Sequence, residues 1–182
     1  MIRWLPLLLL PSTLAAGNAP NGLLKQDSAW KRYVAADSGY CITYPKHWMR
    51  QQVIDGLAFS SGVRRYSMPV GEMDITATST SDDPMHFLEA HLAGVKKFQR
   101  AATVEVLDRR QTTLSGEPAL FTKDSYRDAL EKSDWVEELV LARHKNVLYR
   151  LEMVCRANHV ARFEAMFTRF VHSFQLDCNA KH

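Results

Sequence analysis

The stretch from Trp135 to Phe174 constrains this chain more than any other. Two runs of strand-forming residues, Trp135 to Ala142 and Val147 to Cys155, flank Arg143-His144-Lys145-Asn146, and a helical pattern follows at once. In the second run Tyr149, Leu151, Met153 and Cys155 share one face while Arg150 and Glu152 share the other, the period-2 alternation of a half-buried strand. An apolar sheet face must be covered. Val160, Phe163, Met166, Phe167, Phe170, Val171 and Phe174 fall on one helical stripe, with Arg162, Glu164 and Arg169 off it, and supply the cover. The stripe of phenylalanines reads as core rather than as a binding box.

The rest of the chain repeats the same vocabulary. Tyr40, Ile42 and Tyr44 alternate with Cys41 and Thr43 in a strand that Pro45 ends, since proline has no N–H for the ladder. Trp48 follows in the turn, either folded back over the sheet edge or exposed for stacking on a ligand. Gln51 to Ser60 reads as a hairpin about Asp55-Gly56. Ser61 to Pro69, with Arg64-Arg65, reads as a loop or edge segment, and Met73 to Thr78 as another strand. A helix should start with Asp83 as N-cap and Pro84 as its first residue, and run to about Arg100. Its stripe is Phe87, Leu88, His91, Leu92, Val95 and Phe98, and Lys96, Lys97 and Arg100 complement its C-terminal dipole. Thr103 to Thr113 and Glu117 to Lys123 are strands about the turn Ser115-Gly116, and Asp124 to Asp134 reads as a charged surface loop. Turns this short forbid crossovers, so the expected class is α+β: an antiparallel sheet covered by two main helices.

Targeting and compartment are legible at the start of the chain. Arg3, the apolar run Trp4 to Leu10 and the small residues Thr13-Leu14-Ala15-Ala16-Gly17 have the form of a signal peptide. The apolar run is much shorter than the roughly 20 residues that span a bilayer, and no cysteine near the cleavage point offers a lipid anchor. The expected organisation is a signal peptide over 1–16, a flexible tether over 17–32 and one domain over 33–178, placing the mature protein in the periplasm. Hydrophobic content of 46% and charged content of 24% suit a globular domain. The net charge of +3 falls to +2 without Arg3 and argues against a nucleic-acid partner.

Three cysteines in an exported chain permit one disulfide. A helix of about 17 residues between Cys155 and Cys178 separates its ends by some 25 Å, beyond the roughly 7 Å Cα separation a disulfide tolerates. Cys41 with Cys178 is the preferred pair and Cys41 with Cys155 the runner-up, with three free thiols as the remaining alternative.

No catalytic signature is present. The seven histidines include no His-Glu-x-x-His motif, there is no Cys-x-x-Cys pair, and neither a Gly-x-Ser-x-Gly turn nor a phosphate loop occurs. His91, on the apolar stripe, reads as a hydrogen-bonded core histidine and His144 as solvated. Glu137 and Glu138 are strand neighbours and point to opposite faces. No metal or other cofactor is expected, and the chain reads as non-enzymatic.

Three segments carry a family resemblance. Tyr40-Cys41-Ile42-Thr43-Tyr44-Pro45-Lys46-His47-Trp48 resembles the opening of the PsbP-like fold, including the DcrB-like periplasmic proteins. Ser115-Gly116-Glu117-Pro118-Ala119 is similar to a turn of those proteins, and Phe167-Thr168-Arg169-Phe170-Val171-His172-Ser173-Phe174 to their closing helix. The resemblance spans about Tyr33 to Asp177 and implies an α/β/α sandwich with a binding or accessory role. The leading expectation is an exported protein that engages another envelope or secretion-system protein, through the sheet face or the loops around Tyr44, Trp48, Arg64 and Arg65. The alternative is a module for a small ligand or lipid. A cavity under Phe87, Phe163 and Phe167 would favour the ligand, and a packed core the protein partner.

Overall fold

In the computed structural model, residues 29–53, 56–60, 71–98 and 103–178 are described. In chain order they form β1 (Trp30–Ala35), β2 (Tyr40–Pro45), β3 (Met49–Val53), β4 (Gly56–Ser60), β5 (Gly71–Ser79), α1 (Pro84–Phe98), β6 (Val104–Leu114), β7 (Glu117–Arg127), β8 (Asp134–His144), β9 (Val147–Arg156), α2 (Val160–Ser173) and β10 (Gln175–Leu176). The expected α+β class with two helices is observed. There are two sheets: seven strands ordered β3-β4-β5-β9-β8-β7-β6, and three ordered β1-β2-β10. Every pairing is antiparallel.

Local chemistry explains most element ends. Asp83 Oδ1 accepts a hydrogen bond from the Met85 N–H at 2.8 Å and so caps α1, with Pro84 in its first turn where no N–H is needed. The β6–β7 hairpin turns through Ser115 and Gly116, both at positive φ (51° and 88°), the twist that a two-residue hairpin requires.

The strand registers assign every side chain to a face of the large sheet. Met73, Ile75, Leu151, Met153, Cys155 and Val140 fall on one face, where α2 packs with Phe163, Phe167 and Phe170. The small sheet joins this layer: Tyr40 stacks on Phe174 at 5.7 Å between ring centroids, and Tyr44 lies 4.5 Å from Phe59. The opposite face receives α1, whose Leu88 packs with Leu120, Leu139 and Leu141. The result is a three-layer sandwich.

Several expectations are corrected. β1 takes in Trp30, Lys31 and Arg32, which the sequence places in the tether; pairing of Lys31 with Tyr44 and of Tyr33 with Ile42 holds them in place. The strand from Tyr40 belongs to the separate small sheet. Asp124 to Arg127 continue β7 instead of opening a loop, because the ladder to β8 runs on to Arg127↔Asp134. His144 is bound, with Nδ1 2.7 Å from Glu117 Oε1. The described residues include no helix long and apolar enough to cross a membrane.

Gly56 tests the register. A Cβ there would meet the Ile75 carbonyl oxygen at 2.1 Å, backbone that cannot step aside. We expect Gly56→Ala to lower stability by about 1–3 kcal/mol, read as an earlier urea midpoint at unchanged m-value.

Candidate functional site

The two faces of the large sheet offer two different environments. On the α2 side the helix leaves β6 and β7 partly uncovered, and a cleft of about 410 Å³ opens between them. Arg110, Lys123 and His172 line it together with Asp108, Glu138 and Glu164, so its two permanent cations face three acids. Lys123 contacts Glu164 and lies 3.4 Å from Glu138, while the Arg110 guanidinium covers the Phe121 ring at 3.8 Å. β6 is the terminal strand of the sheet. Val106 and Leu107 on it are 43% and 49% exposed.

On the α1 side the strands carry a group of acids that the sequence reading does not bring together. Asp74 lies opposite Glu152, Asp124 opposite Glu137, and Glu137 one diagonal step from Glu152. Alternation then puts all four on the α1 face. Asp124 is 0% exposed and Glu137 and Glu152 are buried too. Arg150 answers this charge in part: its Nη2 is 3.5 Å from Asp74 Oδ1 and its Nε 3.2 Å from Glu152 Oε2, ion pairs without hydrogen-bond geometry. From α1, His91 Nε2 contacts Glu137 Oε1. Neither carboxylate oxygen of Asp124 has a hydrogen-bond partner.

Burial dominates the electrostatics. It pushes Asp124 up to about 7, with the Glu137 charge adding to it and His91 and Arg109 opposing. It pushes Asp74 up to about 6 against the pull of Arg150. Glu152 rises well above the usual carboxylate range from burial and from its neighbours Asp74 and Glu137.

A raised carboxyl binds more protons folded than unfolded. Its stabilising contribution is therefore present below about pH 4 and is lost as pH rises toward 7. With a chelator present, Asp124→Asn should flatten the stability profile between pH 4 and 7 and raise stability at pH 7.5. The full shift corresponds to roughly 4 kcal/mol, and retention of a buried polar amide reduces the expected gain to about 2 kcal/mol. Urea titrations at pH 5 and 7.5 measure both; a loss of stability at pH 7.5 would contradict the reading.

The residues expected at a binding site are dispersed. Cys41 and Cys178 form a disulfide with Cα atoms 5.6 Å apart, because β10 pairs Gln175 with Cys41, and Cys155 is left free and buried. Tyr44 and Trp48 are core residues: Trp48 folds inward, its ring 5.7 Å from that of Phe163, so neither presents a surface for a partner. Arg64 and Arg65 lie outside the described residues. The acid group was missed although a signal existed. Two covering helices bury both sheet faces, and Asp74, Glu137, Arg150 and Glu152 then alternate into a covered layer.

No family model and no curated protein matches the chain. Solved structures do. Cyanobacterial PsbP of Synechocystis sp. PCC 6803 is similar with a TM-score of 0.61 at 10% identity, over 81% of this chain and 92% of that one. The Ran-binding protein Mog1p of Saccharomyces cerevisiae gives 0.60 at 9% identity, over 82% and 96%. LpqN of Mycobacterium tuberculosis, involved in cell envelope biogenesis, gives 0.50 at 12% identity, over 81% and 90%. These likenesses show a PsbP-like fold. They do not bear on the DcrB-like part of the resemblance.

Proposed function

We propose that the protein is an exported, non-enzymatic accessory protein of the bacterial envelope that binds an extended segment of another protein along β6. The observation that carries this reading is the terminal strand itself. Among the described residues nothing pairs with its outer side, its Val106 and Leu107 are exposed, and it borders a cleft of mixed charge. An added strand takes its affinity from main-chain hydrogen bonds and its specificity from pockets for alternate side chains. A lining that mixes Arg110 and Lys123 with Asp108, Glu138 and Glu164 suits a peptide better than a polyanion. One structural neighbour, described as Ran-binding, supports a binding role, and another, described as involved in cell envelope biogenesis, supports an envelope setting. Phe163 is packed in the core and Phe167, at the wall of the cleft, is only 2% exposed, which favours a protein partner over a lipid held beneath the helices. Export to the periplasm rests on the N-terminal segment and accords with the Cys41–Cys178 bridge.

A photo-crosslinking residue placed at Leu107 or Thr112 in cells should capture a discrete protein adduct in the periplasmic fraction. The same group at Leu130, which is 70% exposed but lies between β7 and β8, should not. Equal capture at all three positions, or a folded protein that gives no adduct at Leu107 and Thr112, would sink the reading. Lipid co-purifying with the native protein would favour the ligand-binding alternative.

A further inference from the structure

We propose that His91, Glu137 and Glu152 form a binding site for a divalent transition-metal ion between α1 and the large sheet, with Zn²⁺ the best match to the donors. This inference does not depend on the partner or on the strand β6.

Geometry comes first. One ligand atom from each of the three residues lies within 4.8 Å of the other two. Bonds of about 2.0–2.2 Å in tetrahedral geometry place donor atoms some 3.3 Å apart, so modest side-chain adjustments close the set around an ion. The His91–Glu137 contact would open to admit it. His91 comes from α1, Glu137 from β8 and Glu152 from β9, and both strands are paired on both sides, which fixes the register of the two carboxylates. His91 retains 13% exposure against 2% for Glu137, which supplies an entry path at the helix edge.

Charge is the second argument. Glu72, Asp74, Asp124, Glu137 and Glu152 share this face of the sheet, and the cations set against them are Arg150, Arg109 near Asp124, and His91 if protonated. Arg150 is committed to Asp74 and Glu152. Asp124 is wholly buried, has no partner on either oxygen, and stands opposite Glu137 on the same face. A buried carboxylate without a partner is costly, and either a proton or a cation must answer it. The imidazole beside the carboxylates decides between kinds of cation. One neutral nitrogen with carboxylate oxygens and no thiolate suits Zn²⁺ or Mn²⁺ better than Ca²⁺ or Mg²⁺, and the Irving–Williams order puts Zn²⁺ ahead of Mn²⁺.

The test uses the untagged protein stripped with a chelator and dialysed. Calorimetric titration with Zn²⁺ should give one site per chain and a melting temperature that rises with Zn²⁺, a response weaker for Mn²⁺ and absent for Mg²⁺. Glu152→Gln and His91→Ala should each weaken Zn²⁺ binding at least about tenfold, whereas His144→Ala, at the distant β8–β9 turn, should leave it unchanged. Wild type with Co²⁺ decides the matter without any variant: absorption near the metal edge should show a nitrogen/oxygen shell containing one imidazole and no sulfur. No saturable binding at millimolar Zn²⁺ would overturn the proposal. So would full binding by both ligand variants, or a Co²⁺ shell with two or more imidazoles. In the first case protons shared among the carboxyls balance the charge instead.

Discussion

Replacing Cys41 and Cys178 together by serine should lower the stability of the folded protein by about 5 kcal/mol. The bridge spans a sequence separation of 137 residues, and the chain-entropy relation assigns that loop roughly 5 kcal/mol of constraint on the unfolded state. The bond also has a local role, because β10 consists only of Gln175 and Leu176 and pairs with nothing but β2. Without the bridge that pairing has little to hold it, and Phe174, stacked on Tyr40, loses its anchor. The measurement is a urea titration of oxidised wild type against the double serine variant, with dithiothreitol-treated wild type as a second route to the same state. Equal midpoints for all three would refute the expectation. Cys155 is an internal control: it is buried and its thiol is pushed up to about 12 by burial, so a thiol reagent should label it only after unfolding.

The second large effect is expected at Phe170. This side chain is fully buried, meets the Phe59 ring edge-on at 5.7 Å and lies 6.3 Å from Phe167. It joins α2 to the large sheet through Phe59 on β4. Phe170→Ala removes the ring and leaves a cavity among residues that are held by two sheets and cannot collapse onto it. The expected cost is about 3–5 kcal/mol. Circular dichroism melting and urea denaturation should agree on it. A loss below about 1 kcal/mol would mean that Phe170 is not the junction that the packing indicates. The Phe170 and disulfide variants act on neighbouring parts of one core, so their costs need not add.

Much of this architecture was legible because it rests on short-range periodicity. The alternation Tyr149, Leu151, Met153, Cys155 marks β9, and the stripe Phe163, Met166, Phe167, Phe170 marks α2, since each pattern is imposed by the geometry of the element. Asp83 before Pro84 and the pair Ser115-Gly116 are equally local, because a cap and a turn are decided within a few residues. Helix length in turn separated Cys155 from Cys178, and the observed bridge is the preferred Cys41–Cys178 pair.

What escaped depends on residues far apart in sequence. Trp30–Ala35 becomes a strand only because β2 is there to pair with it, and Trp48 is core only because Phe163 lies beneath it. Asp124 sits in a charged run that reads as a loop, yet its backbone is held by β8 and its side chain is covered by α1. Taken alone, the sequence determined most of the elements and the antiparallel sheet with two covering helices, since these follow from period, caps and short turns, and it ranked Cys41–Cys178 first among the possible bridges by reach. Only the tertiary structure decided that a hydrogen-bonded core histidine and acids from four strands would meet in one desolvated space. A period of two says that a side chain has a face, and strand register and packing decide what shares it.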